Sequence, residues 1–199
     1  HSISFTGRAS HAGSTPMNLR HDAFLAAARF GLAARESAIE RGGVATIGTV
    51  KAEPGIPTII NQRVEVTLDQ RAFKPEQLRD MLADVKAAAD RIAEEEGVEV
   101  EWKRIWQIDP IPFDETLVNL AAQAVGEITG DDDPPRLPSG ALHDAAEVAR
   151  RAPTVMVFSS STDGVSHNPT EDTKEEDLRV ALQAYGRLYD LTAGMISEP

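Results

Sequence analysis

Cysteine is absent from all 199 residues, which rules out disulfides and thiolate metal ligands and fits a reducing, cytoplasmic compartment. Basic residues are scarce: Lys and Arg total 20 against 32 Asp and Glu, a net charge of −12. That balance argues against nucleic acid and against an anionic membrane surface as partners. Long apolar runs are missing as well. No stretch approaches the roughly 18 residues of a spanning helix, and no signal-peptide pattern opens the chain. What is present is 41% apolar residues, enough to build the core of one large domain or of two small ones. His1 stands ahead of a strand pattern where a Met would be ordinary, and so reads as an interior start of a longer protein.

Taken in order, the periodicity changes several times. Residues 2–8 alternate, with Ile3 and Phe5 on one face and Ser2, Ser4 and Thr6 on the other. From Met17 to about Glu40 the spacing of Leu19, Phe24, Leu25, Ala28, Leu32 and Ile39 predicts one helix, entered at Thr15-Pro16 and closed by Gly42-Gly43. Val44 to Ala52 reads as a strand and Glu53–Pro57 as a turn. Arg63 to Arg71 is the clearest strand, with Val64, Val66 and Leu68 facing one way. A second helix opens at Pro75 and ends at Gly97, with Glu94-Glu95-Glu96 as a solvated face, and a strand runs from Val98 to Trp106. The order β-α-β-β-α-β is that of a ferredoxin-like split βαβ fold, an antiparallel sheet with both helices on one face and an edge strand free for pairing.

Asp109-Pro110-Ile111-Pro112 marks a linker, which places a first domain at 1–107 and a second at 108–199. In the second, Asp114–Thr129, Leu142–Arg151 and Lys174 to about Ala193 read as helices and Thr154–Phe158 as a buried strand. The run Asp131-Asp132-Asp133 lacks EF-hand spacing and reads as a solvated loop. With one clear strand, this half looks like the C-terminal part of a larger α/β domain.

Chemistry-bearing residues sit at the turns. His11 stands at the tip of the small-residue turn Gly7–Met17, the side chain there able both to donate and to accept a proton near neutral pH. His167 lies in a polar segment that follows the apolar stretch 154–158 at its carboxyl end, where open α/β sheets place ligands. Arg71 ends a strand, and a guanidinium fork matches the two oxygens of a carboxylate.

Together these segments resemble the hydantoinase/carbamoylase family of metal-dependent amidohydrolases, within a wider metallopeptidase-like superfamily. The family pattern G-x-A-x-H-A-G-x-T-P-M-x-x-R-x-D-A is met by Gly7, Ala9, His11, Ala12, Gly13, Thr15, Pro16, Met17, Arg20, Asp22 and Ala23. The segment around His167 is similar to G-x-S-H-x-P-x-E-x-T, and Arg63–Arg71 to R-V-E-F-T-L-D-x-R. Ser139–Ala145 is similar to S-G-A-G-H-D-A, with Leu142 in place of a glycine. The resemblance implies a lid and dimerisation domain followed by the C-terminal part of an α/β metallohydrolase catalytic domain. It implies hydrolysis of N-carbamoyl-L-amino acids or a related ureido compound with two divalent ions, zinc or manganese. Of the ion ligands this chain would supply one at most, His167, with Glu171 in a supporting place. His11 would stabilise an oxyanion in the partner subunit's site, and Arg71 would hold the carboxylate of a small-molecule substrate. Gly140 and His143 would line the pocket; Thr58 stands where the family usually has an asparagine, with Asn61 three positions out of register. Two other readings stay open: a non-catalytic dimerisation module, and an aminoacylase or peptidase of the same superfamily.

Overall fold

The structure is a computed structural model that describes residues 1–197. The chain divides into two compact units, one spanning His1–Pro110 and one starting at Ile111.

The first unit is built on strand β1 (Ser2–Thr6), whose Ile3 and Phe5 are fully buried as their alternation requires. β1 pairs antiparallel with β3 (Arg63–Arg71) on one side and β4 (Glu99–Lys103) on the other, while β2 (Val44–Glu53) pairs with β3. The resulting order β2-β3-β1-β4 is the split βαβ topology expected from the sequence. Val64, Val66 and Leu68 of β3 are all buried, each gaining roughly 1.5–3 kcal/mol over exposure. A one-residue slip would turn all of them to solvent, so the register is fixed.

Helices α1 (Ala23–Arg41) and α2 (Pro75–Glu96) cover the same face of the sheet. The buried stripe of α1 is mostly alanine (Ala23, Ala26, Ala27, Ala34, Ala38), which lets the helix lie close, and Phe30 fills the space left. Phe30 meets Phe5 at 5.6 Å and Trp102 at 5.7 Å between ring centroids. Both helices end in left-handed glycines, Gly42 (φ 70°) and Gly97 (φ 62°). The carboxylates of Glu95 and Glu96 both grip Arg29 of α1, so the acidic end of α2 ties the helices together instead of being merely solvated.

The structure corrects several expectations. The segment from Met17 does not form one helix: Met17–Leu19 is a 3-10 turn, the chain extends through Arg20–Asp22, and α1 starts at Ala23. Its cap is Asp22, whose carboxylate accepts from the Phe24 and Leu25 amides at 2.9 and 3.2 Å, not Thr15. The last strand stops at Lys103, leaving Ile105 and Trp106 exposed.

The second unit holds α3 (Glu115–Thr129), the six-residue α4 (Asp144–Ala149) and α5 (Glu175–Ser197). α3 and α5 pack through Ala121, Ala124 and Leu188, flanked by an ion pair of Glu127 with Arg187 at 2.5 Å. A further correction is at Thr154–Phe158, which is neither a strand nor buried. Among the described residues it has no neighbouring strand to pair with, and it is half-buried to exposed. Its Val155 and Val157 rest on the α3–α5 core instead.

Candidate functional site

The turn carrying His11 is fastened on three sides. Gly7 donates to the Gln62 carbonyl (2.7 Å), Ile60 to that of Ser10 (2.9 Å) and Ala12 to that of Thr58 (2.9 Å). These bonds lay the turn against residues 58–62, just ahead of β3, and bring His11 beside Ile59 as an isolated bridge. Gly7 is required by close approach: a Cβ there would stand 2.1 Å from the His21 carbonyl oxygen. Arg20 spans the turn, donating to the Thr15 carbonyl from Nε (3.1 Å) and Nη2 (3.0 Å) and to Ala12 from Nη2 (2.7 Å). His11 itself is exposed at the tip, its Nδ1 accepting the Gly13 amide at 3.0 Å.

Thr58 is adjacent to this turn, through its carbonyl, with its side chain exposed. Asn61 has a different task. Its Oδ1 accepts the Gly55 amide at 3.1 Å and so closes the turn before β3.

Arg71 lies elsewhere. β3 pairs Arg63 with Thr6 at one end and Arg71 with Val44 at the other. A nine-residue strand at about 3.4 Å per residue puts about 27 Å between its ends, so the turn and Arg71 occupy opposite ends of the sheet. The guanidinium is exposed and oriented by Asp69, to which Nη2 donates at 2.6 Å and Nε at 3.1 Å. The bond with Asp69, and then the nearby charge of that carboxylate, raise the Arg71 pKa against the opposing effect of burial.

The remaining site residues belong to the second unit. His143 stands at the N-cap position of α4 without a side-chain capping bond, and its Nε2 lies 2.7 Å from Ser139 Oγ, a bond that Gly140 and the exposed Leu142 loop around. Its ring meets Phe158 edge-on at 5.9 Å and lines a cavity of about 380 Å³ with Val155, Val157, Tyr185 and Leu188. His167 is exposed and sits in the left-handed region at φ 57°, unusual for a residue with a Cβ. Its backbone amide donates to Glu171 Oε2 at 2.7 Å, so Glu171 holds the loop that presents the imidazole. Among the described residues no three His, Cys, Asp or Glu gather as a metal site. One imidazole does not hold a divalent ion, so the donor set of this chain does not by itself fit a metal centre. Asp131–Asp133 are exposed, as a solvated loop should be.

Two residues with structural roles escaped the sequence reading. Arg20 was visible only as a motif position, and a carbonyl-bracing arginine leaves no periodic signal. His21, whose Nδ1 lies 2.6 Å from the Gly97 carbonyl, joins the start of α1 to the end of α2 across 76 residues.

A split βαβ unit that presents a fastened histidine turn is followed by a helical unit that carries a second histidine in a left-handed loop. Residues 9–190 match the model of Peptidase family M20/M25/M40, and the chain belongs to that family. It is 35% identical to an N-carbamoyl-L-amino acid amidohydrolase of Geobacillus stearothermophilus over 96% of this chain and 47% of that protein. It is 30% identical to an allantoate amidohydrolase of Bacillus subtilis over 92% of this chain and 44% of that one. A crystal structure of a hydantoinase/carbamoylase family amidase from Burkholderia vietnamiensis superposes with a TM-score of 0.86 at 33% identity, covering 94% of this chain and 45% of that chain. The chain thus spans about half the length of the relatives it matches. Among the described residues no helix is long and apolar enough to cross a membrane.

Proposed function

We propose that the protein containing this chain is an amidohydrolase that cleaves the C–N bond of N-carbamoyl-L-amino acids or a related ureido compound, working as a homodimer paired through the ferredoxin-like unit. The observation that carries this reading is the separation of His11 and Arg71 along β3. Neither an imidazole nor a guanidinium spans about 27 Å, so the two groups of one chain do not meet on one small substrate. In the proposed dimer one copy supplies Arg71 and the other His11 to the same substrate.

In this reading Arg71, pre-oriented by Asp69, grips the substrate carboxylate through its fork. His11 of the partner chain donates to the carbonyl oxygen as negative charge develops there, with Thr58 beside it. Gly140 and His143 would line the substrate pocket, and His167 would supply one ligand to one of two divalent ions, zinc or manganese, held otherwise by residues outside this chain. Such ions supply Lewis acidity and an activated water when bound; the residues of this chain do the orienting.

The test mixes two variants of the full-length protein, His11→Ala and Arg71→Ala, each inactive alone. Removing one oxyanion donor typically lowers turnover about a hundred- to a thousandfold. Mixed dimers should recover up to one working site each. No recovery, with heterodimers shown to form, would sink the composite site.

A further inference from the structure

His11 is the group at the tip of the turn, yet a histidine can donate or accept at either ring nitrogen, and the choice decides what it can do. Here one nitrogen is already committed. The Gly13 amide points at Nδ1 from 3.0 Å, and an N–H donor requires a lone pair on the atom it meets. We infer that the Gly13 amide holds His11 as the Nε2–H tautomer, and that Arg20 is the positioning residue that keeps the amide in place. The outward nitrogen of His11 is then a fixed hydrogen-bond donor and not a base.

Three features support the lock. Gly13 lies close under the ring: a Cβ on it would stand 3.2 Å from Cε1 and 3.5 Å from Nδ1, so a side chain there would press on the imidazole. The loop is closed by Thr15, whose amide donates to the His11 carbonyl at 3.1 Å. Arg20 then bridges the carbonyls of Ala12 and Thr15, the residues on either side of Gly13–Ser14, with three bonds of 2.7–3.1 Å. Charge-assisted bonds of this kind are stronger than those between neutral groups. The side chain itself is half-buried, with Ala12 anchored to Thr58 on the far side. Ordering before the encounter matters for an oxyanion donor, because a group already oriented needs no reorganisation as charge develops. The catalytic use of the tautomer rests on the role given to His11 above; the tautomer itself does not.

The experiment is a long-range 1H–15N correlation spectrum of the uniformly 15N-labelled full chain, recorded where its five imidazoles are deprotonated. The His11 ring is assigned as the signal set lost in His11→Ala. A protonated Nε2 and an unprotonated Nδ1 are expected for His11. Arg20→Gln should move that ring toward an averaged tautomer mixture while the amides of the sheet core stay in place, and Arg20→Lys, which reaches one carbonyl but does not fork, should fall between. An Nδ1–H pattern or an averaged ring in the unaltered chain overturns the inference, and so does an Arg20→Gln spectrum in which His11 is unchanged. If Arg20→Gln does not fold, the unaltered spectrum still decides the tautomer, and Arg20→Lys the bracing. In the full-length protein Arg20→Gln should lower kcat with little change in KM. Should the tautomer be as stated while His11→Ala turns over at the full rate, the lock stands and the catalytic role of His11 falls.

Discussion

A Cβ at Gly7 would stand 2.1 Å from a backbone oxygen, that of His21, and backbone does not swing aside as the end of a long side chain does. Gly7→Ala should therefore lower stability by at least the about 1–3 kcal/mol typical of an overpacked site, read as a reduced urea midpoint. Gly140→Ala is the control, since a Cβ there meets nothing within 4 Å and the midpoint should hold. At Arg71 the chemistry differs. Lysine keeps the charge but loses the fork, so Arg71→Lys in the full-length protein should weaken carboxylate-bearing substrates by about 1.5–3 kcal/mol, read as a raised KM with the fold unchanged. An unchanged KM would make Arg71 a surface residue held by Asp69. At this scale the sequence singles out His11, Arg71 and His167 by their type and their turns, and the structure places all three exposed, at a turn tip, a strand end and a loop. Arg20 carries no such signal, because its work is done on carbonyls that every residue owns. Asn61 shows the converse: an asparagine near the expected place whose side chain closes a turn.

Between the helices of the first unit, Asp84 of α2 accepts from Arg41 Nε (2.9 Å) and Nη2 (3.0 Å) and from Ser37 Oγ (3.1 Å). The hydrogen bond from Arg41 is the main cause that holds the Asp84 carboxyl below its ordinary range; burial opposes it and Ser37 assists. A folded pKa below the unfolded one stabilises the fold above the ordinary carboxylate value of about 3.9, and that contribution is lost as pH falls through the lower folded value. Asp84→Asn should thus cost about 0.2–1 kcal/mol at neutral pH, the range for partly exposed pairs, and less as the medium is acidified. Urea midpoints of the two proteins, followed down in pH, should converge; parallel curves would show that the pair contributes nothing. β1, β3 and α2 were legible because each buries one face and so repeats at its own period. α1 was found on its other face: Leu19, Phe24, Leu25, Ala28, Leu32 and Ile39, whose spacing marked it, are exposed, while its buried stripe is mostly alanine, and Leu19 carried the pattern into a segment that is not helical. Periodicity reports burial only if the residue is in fact buried. Thr154–Phe158 failed for the complementary reason: an apolar run states that a segment can be covered, and strand pairing depends on a neighbour that the run itself does not encode.

For the molecule as a whole, the first unit leaves one flank uncovered. β2 is an edge strand of ten residues, with its outer backbone groups unpaired in the sheet, and its Val44 and Val50 are 59% and 56% exposed. Beside it runs α1, where Leu25, Leu32 and Ile39 recur at seven-residue intervals and remain 41%, 63% and 64% exposed. Seven residues are nearly two helical turns, so these side chains form one apolar stripe next to an open strand edge. A second copy turned about a two-fold axis brings the same stripe and the same edge, which is the self-complementary arrangement of an isologous dimer. The chain should therefore sediment as a dimer at micromolar concentration. Leu32→Asp together with Val50→Lys should give monomers whose circular dichroism matches the parent, since both side chains already face water in the single copy. A monomeric parent chain would remove pairing through this face. The full-length protein separates association from chemistry. If His11 is delivered to the site that holds the other copy's Arg71, the monomeric double variant must lose turnover with both residues intact and the first unit folded. Activity that survives as monomer would place His11 and Arg71 in separate roles, and β3 would then keep apart two groups that never needed to meet.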